Sequence, residues 1–170
     1  EKSIGYPLRN WPQGVQEGGS LSDTFRTWRA KQISDFVWRV RSELQNINPS
    51  IKLSAAVFRG YPSCRDSIGQ DWVEWLRHGY VDFVCPMTYT EDASNFRSET
   101  AGHLSHPGVG NRIVPGIGVT ASESQLSADG VIEQINLLRT LGAPGFVLFD
   151  LGPTLQNEIL PILGLGLTKD

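Results

Sequence analysis

A chain of 170 residues, 39% hydrophobic and 19% charged, is sized and composed for one packed core, which excludes a disordered or a membrane-embedded polymer. Its 15 Lys and Arg against 18 Asp and Glu give a net charge of −3 and are scattered, which excludes the basic footprint of a nucleic-acid or anionic-lipid partner. Cys64 and Cys85 form no CxxC pair and stand at no ligand spacing to His78, His103 or His106, so neither a metal nor another cofactor is expected.

In chain order, Glu1 to Gly19 is rich in Gly, Pro and polar residues, has no sustained period, and reads as a loop region, 1–19, ahead of a folded region, 20–170. The chain begins with Glu1 and its only methionine is Met87, so its natural start is not expected here and the compartment stays open. From Ser20, with Asp23 as an acidic capping-box partner, Phe25, Trp28, Ile33, Phe36, Val37, Val40 and Leu44 recur at helical intervals up to about Asn46. Asn48-Pro49 stops that helix, because the residue before proline is pushed out of the helical region.

Ile51 to Phe58 follows as an apolar run expected to be buried on both faces, and Gln70 to His78 predicts a short helix that turns at Gly79 into the strand Val81 to Cys85. Trp28, Trp38, Trp72 and Trp75 fall at helical spacing and read as core. A weaker helix around Ala93 to Leu104 precedes the strand Arg112 to Val119, and His103 and His106 near its end are expected to be solvated or to partner the C-terminal dipole. A helix from Ala128 to Leu141, the strand Gly145 to Asp150 and a helix near Thr154 to Leu163 close the chain. Four strands that each follow a helix predict an α/β fold with a parallel sheet in sequential order. Such a sheet is either an open doubly wound domain or half of a closed eight-stranded barrel, and composition does not decide.

Particular strings carry more than the pattern. SAAVF (Ser54 to Phe58), QDWVEWL with GYVDFVCPMTYT (Gln70 to Thr90), VPGIG (Val114 to Gly118) and EQINLLRTLGAPGFVLFD (Glu133 to Asp150) together resemble glycosyl-hydrolase-like family 10, a group of bacterial (β/α)8-barrel proteins. Family members carry, before this region, a strand ending in HLDxxxYP, which Glu1 to Gly19 lacks. The resemblance therefore implies the C-terminal half of a TIM (β/α)8 barrel, strands five to eight, with the main catalytic acid upstream. It implies a fragment of a glycoside hydrolase acting on a bacterial polysaccharide such as cell-wall glycan, inactive in isolation; an extracytoplasmic place in a bacterium is one option for the open compartment. The alternative is a non-catalytic carbohydrate-binding barrel or scaffold. Expected partners are a carbohydrate and either the missing N-terminal half or a second copy joined through open sheet edges.

Glycoside hydrolysis needs two carboxyl groups at a set separation, and in a parallel barrel they sit at C-terminal strand ends. Asp150 ends the last strand and is the first candidate, against a reading as helix cap or loop ion pair. Glu91 and Asp92, in the loop after the second strand, are further candidates, against a reading as the acidic start of the next helix. Asp71 reads as a dipole partner at a helix start, and Asp82 lies at a strand entry, the end that serves stability. Tyr89 and Met87 past the second strand, with Phe58 and Arg59 closing the first, are the substrate-binding candidates: rings pack on pyranose faces and arginine bonds carboxylate, acetamido or lactyl oxygens. Pro115 to Gly118 suits a close backbone approach better than a phosphate cradle, because no lysine lies near.

Overall fold

A computed structural model describes Gly5, Pro7 and residues 10–166. Of the expected loop 1–19, Glu1 to Ile4, Tyr6, Leu8 and Arg9 thus lie outside the described residues. The chain forms two compact units, one of residues 1–51 and 60–80, the other of residues 52–59 and 81–170. Among the described residues no helix is long and apolar enough to cross a membrane.

The first unit is helical: α1 (Ser22–Ile47), α2 (Ser63–Ile68) and α3 (Trp72–Arg77). The helix α1 begins one residue later than the capping-box pattern predicts, and its cap position, Leu21, makes no side-chain cap bond. The reason is local: Leu21 N donates to the Gly14 carbonyl at 2.9 Å, which folds residues 18–21 back onto the 3-10 turn Gln13–Val15. It ends as expected, with Asn48 extended ahead of Pro49. Trp72 and Trp75 are buried, Trp75 donating from Nε1 to Ser34 Oγ at 2.8 Å, whereas Trp28 is only half-buried. The core expectation for Trp38 is corrected: it is 50% exposed and Phe36 65%, and the bond from Trp75 of α3 reaches α1 one turn earlier than Trp38, at Ser34. The helix α2 has no counterpart in the sequence reading, being six polar-rich residues that end where Gly69 takes the left-handed conformation at φ 82°. Asp71 holds Tyr61 Oη and Arg65 Nε at 2.9 and 3.0 Å ahead of α3.

The second unit carries the sheet. Its strands β1 (Ser54–Val57), β2 (Phe83–Pro86), β3 (Gly116–Gly118) and β6 (Val147–Phe149) are parallel, β1 pairing with β2 and β3 with β6. Parallel bridges Val84 to Ile113 and Met87 to Gly116 join the two pairs, so the spatial order β1-β2-β3-β6 follows the chain. Asp82 sets the entry register, its carboxylate accepting from Leu53 N at 2.7 Å. One expectation is corrected here: β1 alternates exposed, half-buried, exposed and buried, because only the face that carries Ala55 and Val57 is covered, while that of Ser54 and Ala56 is open. A further correction is an antiparallel pair, β4 (Thr120–Ala121) with β5 (Ser124–Gln125), a hairpin that follows β3 and stands outside the parallel sheet.

Helices α4 (Ala93–Leu104), α5 (Ala128–Thr140) and α6 (Leu160–Gly166, entered through the π turn Leu155–Ile159) belong to the same unit. Ser127 Oγ caps α5 by accepting from Gly130 N. Phe96, Ile117, Val119, Val131, Ile135, Leu138, Ile159 and Leu163 form a buried cluster, each contributing about 1.5–3 kcal/mol by removal from water. That cluster holds α4, α5 and the last turn against β3, and β3 in turn carries the strand end nearest the hairpin.

Candidate functional site

In a parallel sheet every C-terminal strand end emerges on one side, so residues distant in sequence converge there. Phe58 and Arg59 follow β1, Met87 and Tyr89 follow β2, and Phe149 ends β6; with Ala121, Ser122 and Glu123 of the hairpin they line a cleft of about 470 Å³. The volume lies within the span of small-molecule sites. All four substrate-binding candidates named from the sequence thus line one cleft.

Its floor is aromatic. The Tyr89 and Phe149 rings stack with centroids 5.3 Å apart and planes inclined by 15°. Glycines make this stack possible: a Cβ on Gly118 would lie 2.8 Å from Tyr89 Cγ, and one on Gly116 would lie 3.2 Å from Tyr89 Cε1. The PGIG string is therefore a slot for a ring. Burial, with smaller effects of Cys85 and Glu123, pushes the Tyr89 hydroxyl above its ordinary range and keeps it protonated, hence a hydrogen-bond donor.

Charges of both signs flank this floor. Arg59 Nη1 donates to the Tyr89 carbonyl at 2.9 Å, and its Nε lies 3.5 Å from Glu99 Oε2. Glu123 accepts from the Ser122 hydroxyl at 2.6 Å, and that bond, a backbone amide and Arg59 lower its pKa, so the carboxylate is ionised. Neither Ser122, Glu123 nor Phe149 was singled out from the sequence. Phe149 falls on the period-two pattern of GFVLFD and could have been; a hairpin with two-residue strands leaves no such pattern.

The three acid candidates are placed differently. Asp150 is exposed at the end of β6 and accepts a bond from the Thr120 hydroxyl, one residue before the cleft-lining Ala121. Glu91 Oε1 accepts from Gln125 N at 2.9 Å, tying the loop after β2 to β5. Asp92 caps α4, accepting from Asn95 N at 2.9 Å and from Ser94 Oγ at 2.6 Å, bonds that lower its pKa. None of the three, Asp150, Glu91 or Asp92, lines the cleft; Asp150 follows directly on the cleft-lining Phe149. His103 corrects the solvated expectation: it is 5% exposed and donates from Nε2 to the Arg59 carbonyl at 2.6 Å. Burial holds it below the ordinary histidine range, the Arg59 carbonyl bond opposing this and the positive charge of His106 and Arg59 adding to it. Among the described residues no group of three His, Cys, Asp or Glu is placed to hold a metal ion.

Residues 2–106 match the family described as Glycosyl hydrolase-like 10. Among solved structures, the glycoside hydrolase domain of PgaB (BpsB) from Bordetella bronchiseptica is similar in fold, at a TM-score of 0.70 and 15% identity over 88% of this chain. The chain spans 44% of that structure's length. No curated protein matches it.

Proposed function

This chain belongs to the glycosyl hydrolase-like 10 family, and we propose that residues 20–170 are the C-terminal half, strands five to eight, of a (β/α)8 barrel whose whole acts as a glycoside hydrolase on a bacterial polysaccharide, cell-wall glycan foremost. The observation that carries the reading is the cleft at the C-terminal strand ends, where a two-ring floor lies between an arginine and an ionised carboxylate. Such a floor takes the apolar face of a pyranose, and the flanking groups bond its substituents. Two open edges support the half-barrel: among the described residues β1 pairs only with β2, and β6 only with β3. The proposed partner of those edges is the N-terminal half of the barrel, or a second copy in its absence.

Within this reading Tyr89, Phe149, Met87 and Phe58 seat the sugar and Arg59 bonds an acidic or acetamido substituent. Asp150 is the chain's catalytic carboxylate in preference to Glu91 and Asp92: it follows the cleft-lining Phe149 and accepts from a side-chain hydroxyl, Thr120, whereas the other two accept from backbone amides. The other carboxyl group comes from the upstream half. One acid protonates the leaving glycosidic oxygen as its C–O bond breaks, and water, losing a proton to a carboxylate, supplies the hydroxyl at the anomeric carbon. Reducing-end release from cell-wall glycan by the longer reading frame, with and without Asp150→Asn, tests this.

A second reading is a carbohydrate-binding barrel without a competent acid pair. The engagement of Glu91 and Asp92 with Gln125 N and Asn95 N favours it, because it removes two of the chain's three candidate acids. Binding of glycan without release of reducing ends would select it.

A further inference from the structure

Arg59 is held from three sides. Its Nη1 donates to the Tyr89 carbonyl at 2.9 Å, its Nε lies 3.5 Å from Glu99 Oε2, and its own carbonyl accepts from His103 Nε2 at 2.6 Å. A carbonyl only accepts, so the proton resides on Nε2. Glu99 and His103 stand four residues apart on α4, one helical turn, so a single face of that helix grips both the side chain and the backbone of one residue. Asp92, as the cap of α4, fixes where that face begins.

Magnitudes decide what the grip does. The Arg59 and Glu99 side chains are 41% and 35% exposed, and an ion pair so placed adds little to stability. An arginine side chain, by contrast, has large rotamer freedom, which a ligand must remove unless the protein has already done so. The contacts thus contribute more to orientation than to folding. Of the guanidinium nitrogens, Nη1 makes a hydrogen bond and Nε an ion-pair contact, while no such contact engages Nη2 among the described residues.

We propose that Glu99 and His103 are positioning residues that pre-order Arg59 so that Nη2 meets a carboxylate or carbonyl oxygen on the sugar seated over Tyr89 and Phe149. The ligand part rests on the carbohydrate reading of the cleft; the clamp itself does not.

The test has two arms on the full chain. In the first, nuclear magnetic resonance of the arginine Nε–H groups reads the order of Arg59 without any ligand. Arg59 is expected to be as ordered as the backbone in the wild type and in His103→Gln, which keeps a donor, and mobile in Glu99→Gln and His103→Leu. In the second, soluble cell-wall glycan strands are the probe: Glu99→Gln and His103→Leu weaken binding by about fivefold or more and His103→Gln by less than about twofold. In an Arg59→Met background, His103→Leu then costs nothing further. If His103→Leu does not fold, Glu99→Gln carries both arms. An Arg59 Nε as mobile in the wild type as an exposed arginine, or an undiminished His103→Leu effect without the guanidinium, overturns the proposal. Ordered Arg59 with no glycan bound upholds the clamp and overturns the carbohydrate reading.

Discussion

Tyr89 and Phe149 lie 60 positions apart and stack with their ring centroids 5.3 Å from each other, in a slot that exists because Gly116 and Gly118 have no side chains. The stack joins the end of β2 to the end of β6 across β3, so the order of the sheet is written into the floor of the cleft.

Gly118→Ala closes the slot. Its new Cβ would lie 2.8 and 2.9 Å from Tyr89 Cγ and Cβ, atoms too near the backbone to swing away. The expected cost is about 1–3 kcal/mol, the range for overpacking, read as a lower midpoint in urea. Unchanged stability with an unmoved Tyr89 ring would remove the slot from the account.

Tyr89→Ala opens the floor instead. Losing a stacked ring on a sugar face costs about 1–1.5 kcal/mol, so cell-wall glycan strands should bind about tenfold more weakly, while Tyr89→Phe, which keeps the ring, loses less. Equal affinity for wild type and Tyr89→Ala, measured by titration calorimetry, would place the sugar elsewhere.

Glu91 is a tether for the hairpin that carries Ser122 and Glu123, through its bond to Gln125 N. Glu91→Gln keeps an acceptor oxygen and should protect that amide from hydrogen exchange nearly as well as the wild type. Glu91→Ala should speed its exchange by about tenfold or more, an opening free energy lower by about 1.4 kcal/mol. Equal protection in all three proteins would mean that the hairpin holds itself.

Two groups set the pH dependence of α4. The carboxyl of Asp92 is depressed below its ordinary 3.8 by Ser94 and Asn95, so its contribution is present above that value and lost as the pH falls through the folded one. His103, depressed below 6.5 chiefly by burial, acts with the same sign: the unfolded chain takes up a proton that the folded one resists, so stability declines as the pH falls from about 6.5. Melting curves should show His103→Gln losing stability less steeply than wild type between pH 7 and pH 5. Parallel slopes would mean that His103 titrates as in water.

The parallel order of the strands was legible because the punctuation is local: Pro49 ends α1, Gly79 (φ 68°) and Gly142 (φ 71°) turn the chain into β2 and toward β6, and each strand run is apolar. The convergence of Phe58, Arg59, Met87 and Tyr89 follows from that order alone. The hairpin was not legible, since two-residue strands are shorter than any alternation, and with it Glu123 was lost. His103 was misplaced because α4 is polar in sequence, and only the tertiary fold brings the Arg59 carbonyl to its ring. Trp38 was misplaced for the converse reason: periodicity identifies an apolar face but not what covers it.

The most direct measurement of the central claim is the release of reducing ends from bacterial cell-wall glycan by three proteins: this 170-residue chain, the longer reading frame, and that frame with Asp150→Asn. The half-barrel account predicts no release by the chain alone, which should associate through its open β1 and β6 edges, clear release by the longer protein, and its loss on Asp150→Asn. Release by the isolated chain as a monodisperse monomer, or full activity with Asp150→Asn, would contradict it.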